Sequence, residues 1–341
     1  MGFFYISLFM GTILLFFVNV YWLGINLYFY AANGLDWLLQ GQSFIESIYG
    51  SVYLRWILFA DLIWLCVTLL FAFQRKHYKT DPDLHYLKYD PIQNKKICVI
   101  LPTYNEEKNV ASVVKDFLSQ KYVSQVIVVD NHSEDDTVQI AKNNGAVVVE
   151  KLKNTGFTDS CIRGFSEALK TNLNIITICD CDQTFSAYDL EKMVPFLDNC
   201  DTVIGTRQIQ VLSEIGNQNS TFYIWGNLFL AKLMQIKYFS LKHIGIVDLS
   251  DVGCTYRCFS RQSLEKILPN LQATLKNKQN RRLNFSPIAL LMTMISIEND
   301  LRIVEVPITF KKRSGVSKSQ AEKKSNGIKY GLNYLWLILS R

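Results

Sequence analysis

The sequence predicts an α/β fold: a mostly parallel sheet with helices on both faces, preceded by a membrane-embedded N-terminus. Three observations predict it. From about residue 97, short β-branched runs alternate with amphipathic helical stretches, the pattern of a parallel sheet. Three of those runs end in polar loops, after Leu101, Val129 and Cys179, and such loops gather in one crevice at the carboxyl ends of the strands. Before residue 76 the chain is apolar over lengths that fit a bilayer.

Phe3 to Asn33 carries no charged residue, which predicts a span over about 3–31. A second span fits 56–73, Trp56 to Phe73, bounded by Arg55 and by Arg75-Lys76-His77. The loop between holds Asp36 and Glu46 but no Lys or Arg, while Arg75, Lys76 and Lys79 follow the second span. That bias puts everything after the second span on the cytoplasmic side. Asp61 lies within the second span. It reads either as a site or as an interfacial residue within reach of Arg55. The expected organisation is an anchor over 1–75, a polar linker over 76–96, the α/β domain over 97–320 and an interfacial helix over 321–341.

Within the domain, Ile97 to Leu101 reads as a strand and Glu106 to Gln120 as a helix with Val110, Val113, Val114, Phe117 and Leu118 on one face. Gln125 to Asp130 and Ala146 to Glu150 follow as strands, with helices over Asp135 to Asn143 and Thr158 to Thr171. Ile175 to Cys179 is a buried strand that runs into Asp180-Cys181-Asp182. Two carboxylates this close repel unless a cation stands between them. A hard divalent ion with oxygen ligands from a diphosphate is the usual answer.

The 341 residues carry 36 Lys and Arg against 30 Asp and Glu, a formal charge of +6. That is too weak a balance for nucleic acid and suits anionic lipid or anionic substrates. The eight cysteines form no C-x-x-C pair and read as small core residues in a reducing compartment.

Lys96-Ile-Cys-Val-Ile-Leu-Pro102-Thr-Tyr-Asn-Glu106-Glu resembles the first strand and loop of family 2 glycosyltransferases, which have the GT-A fold. Val128-Val-Asp130-Asn-His-Ser133 resembles their V-V-D-D-G-S segment, and Asp180-Cys-Asp182 their D-x-D motif. Gly205-Thr-Arg207, Asp251-Val-Gly-Cys-Thr-Tyr-Arg257, Glu305-Val-Pro307-Ile and Arg313-Ser-Gly315-Val-Ser317-Lys318 resemble the branch with dolichyl-phosphate mannose synthase and other polyprenyl-phosphate sugar transferases.

The resemblance implies a nucleotide-sugar donor, linked to UDP or GDP, and inversion at the anomeric carbon. It implies Mg2+ or Mn2+ held by Asp180 and Asp182. It places Pro102, Thr103, Tyr104, Glu106, Asp130, Asp180 and Lys318 against the nucleotide sugar. Arg207 and Arg313 are candidate phosphate clamps, since a guanidinium presents a planar fork to phosphate oxygens. With a polyprenyl phosphate as acceptor no strong base is needed. With a hydroxyl on a lipid-linked or surface glycan, Asp251 is the candidate base, unless it serves to hold its loop. A non-catalytic nucleotide-sugar-binding membrane module is the rival of a different class.

The chain departs from the family at Asn131 and His132, where relatives carry Asp and Gly. It also lacks the acid many relatives carry before the E-V-P-I strand, where Ser286-Pro-Ile288-Ala stands.

Overall fold

The computed structural model describes residues 89–208, 210–214, 220–238, 249–276, 287–313 and 324–341, with parts of 11–28 and 55–66. The chain divides into two compact units, Met1–His77 with Trp336–Arg341, and Tyr78–Leu335.

In the larger unit, seven strands form one sheet in the order β3-β2-β1-β4-β6-β5-β7. They are β1 (Ile97–Thr103), β2 (Val123–Asp130), β3 (Val147–Glu150), β4 (Ile175–Ile178), β5 (Thr202–Thr206), β6 (Arg257–Ser260) and β7 (Ile303–Pro307). β1 pairs in parallel with β2 and β4, and β2 with β3. β6 alone runs antiparallel, between β4 and β5, and β7 pairs in parallel with β5. The sheet is thus mostly parallel, as the βα alternation predicts. The antiparallel strand does not show in that alternation, because its four residues open on a charged Arg257 and carry no helix-to-strand signal before them.

Every residue of β1 is buried, which accounts for its apolar run from Ile97 to Pro102: a strand with neighbours on both sides and cover on both faces needs no polar residue there. Helices α1 (Val110–Leu118), α2 (Thr137–Asn143) and α3 (Phe157–Ala168) follow β1, β2 and β3. α1 starts four residues later than its apolar spacing predicts. Glu106 to Asn109 instead form a turn, with Glu106 O accepting from Asn109 N and Val110 N. α3 lies very close on β1. A Cβ at Gly164 would fall 2.3 Å from a methyl of Ile100, so this position admits only glycine without moving the helix.

Further along come α4 (Leu190–Met193), α5 (Thr221–Lys237), α6 (Arg261–Lys276), α7 (Ile288–Glu298) and α8 (Lys324–Ser340). α7 is buried from Ile288 to Ile297, as a helix apolar on all faces must be.

In the smaller unit, residues 14–22, 55–59 and 61–63 are helical. Leu14, Phe16, Phe17, Trp56, Leu58 and Phe59 are exposed, and Asn19 Nδ2 donates to Asp61 Oδ1 at 3.2 Å. Most of the two sequence-predicted spans and of the linker lies outside the described residues. Among the described residues no helix is long and apolar enough to cross a membrane.

Candidate functional site

β4 ends at Ile178 and delivers Asp180 and Asp182 to the carboxyl edge of the sheet. Gln183 adopts φ of 63°, in the left-handed region, and Thr184 turns back onto Asp182. Its N–H and hydroxyl both donate to Asp182 Oδ1, at 3.1 and 2.5 Å. Asp182 Oδ2 faces Arg313, 3.1 Å from a guanidinium nitrogen. Asp180 is different. Its Oδ1 is buried and has no hydrogen-bond partner among the described residues. Burial, and then the charge of Asp182, push its carboxyl up to about 7, against the opposing pull of Thr255, Arg313 and Arg207.

Arg313 reaches this edge because the chain before it is sewn to the Asp182 loop. Lys311 N donates to Thr184 O at 2.7 Å. Phe310 bridges Phe185, their rings 5.4 Å apart. The same guanidinium stands 3.6 Å from Glu106 Oε1. Glu106 is buried, accepts from Asn109 Nδ2 at 2.7 Å, and its N–H donates to Thr137 Oγ1. The loops after β1 and β4 therefore meet at one arginine, which stands between Glu106 and Asp182.

The nucleotide-side residues named from sequence lie along the same edge. Thr103 and Asp130 are paired neighbours at the ends of β1 and β2, both buried, with Pro102 buried behind them and Tyr104 half-buried. Asp130 accepts from the N–H and hydroxyl of Ser133. Lys318 lies outside the described residues.

Arg207 and Asp251 are brought together rather than aimed apart. Arg207 Nε and Nη2 donate to the two Asp251 oxygens at 2.7 and 2.8 Å, a bidentate pair, and Gly253 N donates to Oδ1 at 3.0 Å. Burial alone would raise Asp251; the guanidinium outweighs it and holds the carboxyl below its ordinary value. Arg207 also lies 5.3 Å over the Phe310 ring. Behind the pair, Glu305 of β7 accepts from the N–H and hydroxyl of Ser250 at 2.9 and 2.6 Å and from Asp251 N at 3.1 Å. Glu305 was legible only as part of a strand motif. The signal that it holds a loop is an acid in a strand with a Ser-Asp turn elsewhere, and sequence does not say which turn.

Two sequence departures find local partners. Asn131 Nδ2 donates to Asn154 Oδ1 at 2.8 Å and Asn131 Oδ1 accepts from Thr155 N. In the region lacking the family acid, Thr293 of α7 accepts from the fully buried Arg257 at 2.8 Å, and Arg257 Nε donates to Cys254 O. Arg257 Nη2 has no partner among the described residues, and burial pulls this guanidinium down to about 10.

Among the described residues no three His, Cys, Asp or Glu side chains converge as a metal site. Among the described residues the candidate for a cation is the Asp180–Asp182 pair, of which Asp180 Oδ1 has no hydrogen-bond partner there. That fits a hard ion that takes one or two carboxylates and completes its shell with phosphate oxygens and water.

Residues 98–268 match the family described as Glycosyl transferase family 2. The polyprenol monophosphomannose synthase of Mycolicibacterium smegmatis is 27% identical over 64% of this chain and 79% of its own. The undecaprenyl-phosphate mannosyltransferase of Micrococcus luteus is 25% identical over 71% of this chain and 96% of its own. The UDP-N-acetylglucosamine--dolichyl-phosphate N-acetylglucosaminyltransferase of Methanococcus voltae is 27% identical over 63% and 85%.

Proposed function

The chain belongs to glycosyltransferase family 2 and is a glycosyltransferase; from that premise we propose that it moves a sugar from a nucleotide-diphosphate donor to a polyprenyl phosphate, with Mg2+ or Mn2+ held by Asp180 and Asp182. The observation that carries the metal is the bare, buried Asp180 Oδ1 beside a second carboxylate. Such an arrangement is costly until a cation arrives. When bound, the ion would offset the charge that grows on the departing diphosphate.

The residues present divide the remaining work. Pro102, Thr103, Tyr104, Glu106 and Asp130, at the ends of β1 and β2, would hold the base and ribose. Arg313, and Lys318 beyond it, would meet the diphosphate. Arg207 is held rigid by Asp251 and stands ready as a fixed positive charge. Its partner is a poor general base. Both Asp251 oxygens already accept hydrogen bonds, and the carboxyl is held below its ordinary value. A hydroxyl acceptor would need a base, whereas a phosphate oxygen is already an anion. That favours the lipid phosphate, which is also the acceptor for which two of the relatives are named.

A membrane-associated enzyme suits this acceptor. Phe222, Trp225 and Phe229 on α5, and Ile328, Leu332 and Trp336 on α8, are exposed at helical spacing, the pattern of faces that lie against lipid. The predicted anchor over 1–75 would hold the catalytic edge on the cytoplasmic side.

The test is a transfer assay. Purified full-length protein is incubated with Mn2+ or Mg2+, labelled UDP- and GDP-sugars, and undecaprenyl or dolichyl phosphate. Label should enter the organic phase, EDTA should stop it, and Asp182→Ala should lower the rate about 10³-fold or more. Equal transfer by Asp182→Ala would overturn the metal assignment. Metal-dependent nucleotide binding without lipid labelling would overturn the acceptor.

A further inference from the structure

Arg313 is placed where two different subsites need to be open. It ion-pairs with Asp182, the candidate metal ligand, at 3.1 Å, and stands 3.6 Å from Glu106, the candidate nucleotide ligand. It also counters the charge of Asp180. The two residues before it are tied down. Lys311 N is bonded to Thr184 O, and Lys312 N to Glu214 Oε2 at 2.6 Å. The side chain, 18% exposed, is the part that can swing.

We propose that Arg313 is a built-in stand-in for the metal: in the free enzyme its guanidinium neutralises the Asp182 end of the carboxylate pair and closes the Glu106 subsite, and it yields both when a nucleotide diphosphate arrives with the cation. This rests on the metal reading given above. The physical argument is direct. A guanidinium and a divalent ion at neighbouring positions repel, so Arg313 weakens metal binding while no anion is present. A diphosphate gives the displaced guanidinium a new partner with matching oxygens, so the repulsion becomes a bridge. Metal and nucleotide affinities are then coupled, and by linkage each strengthens the other by the same factor. The device keeps a bare cation from settling in the site without a donor.

The experiment reads binding, not turnover. Full-length protein is titrated with Mn2+ and the free ion is followed by electron paramagnetic resonance, without nucleotide and then with saturating UDP or GDP. Arg313→Ala should bind Mn2+ alone about tenfold more tightly than the wild type. Arg313→Lys, which keeps the charge, should stay near the wild type. In the wild type, the better-bound nucleotide should tighten Mn2+ about tenfold or more, and in Arg313→Ala by much less. Arg313→Gln serves as a second neutral variant if the alanine fails to fold. Equal Mn2+ affinity of wild type and both neutral variants, with Asp182→Ala abolishing binding, would overturn the stand-in role and leave the metal reading intact. Mn2+ binding that is indifferent to Asp182→Ala would overturn the metal reading, and the stand-in with it.

Discussion

Two clusters of buried charge stand at the same end of one sheet, and they are built on opposite terms. At the ends of β1 and β4, Glu106 and Asp182 share Arg313, and among the described residues one oxygen of the neighbouring Asp180 has no hydrogen-bond partner. At the ends of β5 and β7, Asp251 is matched by the Arg207 fork and by Gly253 N, and Glu305 holds the Ser250-Asp251 backbone from behind. The second cluster is closed: its charges answer one another. The first is open: among the described residues Asp180 Oδ1 has no hydrogen-bond partner, and burial and the charge of Asp182 push its carboxyl up. An open cluster costs stability and is kept for what it binds; a closed one holds shape. On the function proposed above, the first cluster would take the cation and the donor, and the second would hold Arg207 and its loop in place beside them.

The largest effect should come from opening the closed cluster. Arg207→Met leaves the fully buried Asp251 unpaired and should cost about 3–5 kcal/mol of stability. Replacing both partners, as Arg207→Met with Asp251→Leu, should recover most of that loss, because no bare charge remains. Urea unfolding of the four combinations measures it as a double-mutant cycle. In metal-free buffer Asp182→Ala should cost less than about 1 kcal/mol, since it relieves repulsion as well as removing bonds. Similar losses for Arg207→Met and Asp182→Ala would erase the distinction between the clusters.

A smaller effect, of opposite sign in the two clusters, lies in the pH dependence. Asp180 is pushed up to about 7 from an ordinary 3.8. The folded chain therefore keeps this proton where the unfolded chain has lost it. Its contribution to stability is present in acid and disappears as pH rises from about 4 to about 7. Asp251 is held below 3.8, so its contribution is present above that value and is lost as pH falls through its folded-state value. At pH 8 with EDTA, Asp180→Asn should thus stabilise the protein by about 2 kcal/mol, an effect that should shrink toward neutral below pH 4. Saturating Mn2+ should reverse the order, because only the wild type keeps both ligands. Thermal melts across pH test this, and a destabilised Asp180→Asn at pH 8 without metal would show that the first cluster is not open.

The open cluster was largely legible in the sequence, and the closed one was not. Asp180 and Asp182 follow a β-branched run directly, and Glu106 follows another, so strand-then-loop alternation alone carries them to one edge. Arg207 and Asp251 are 44 residues apart, and Asp251 and Glu305 54. Their pairing depends on β6 entering antiparallel between β4 and β5, a topological fact that no local pattern states. Read singly, Arg207 is a candidate phosphate clamp and Asp251 a candidate base or the holder of its loop; the structure adds that the two form a buried pair. Arg313 reads from the sequence as a candidate phosphate clamp, but its contacts with Glu106 and Asp182 come from the bridge of Phe310 to Phe185. The anchor was read from composition alone, and most of it lies outside the described residues.

The smallest effect tests whether a position in the open half can nonetheless be frame. Asn131 stands where the V-V-D-D-G-S pattern that its segment resembles has Asp, and restoring the acid would ordinarily be expected to help the enzyme. The geometry says otherwise. Thr155 N fixes Asn131 Oδ1 as an acceptor, and Gly156 N fixes Asn154 Oδ1 as another. The Asn131 Nδ2 donor therefore joins two groups whose orientations are set by backbone N–H bonds. An aspartate here would bring two acceptors face to face at a buried position. Turning Asn154 over would relieve that clash only by losing its bond from Gly156. Asn131→Asp should cost about 1 kcal/mol. Sugar transfer at low temperature should change less than about threefold, because Asn131 holds the 154–156 loop and not the donor. Denaturant unfolding and transfer rates measured on the same preparation decide the point. A stable variant with strongly altered nucleotide affinity would move Asn131 out of the frame and into the open cluster's work.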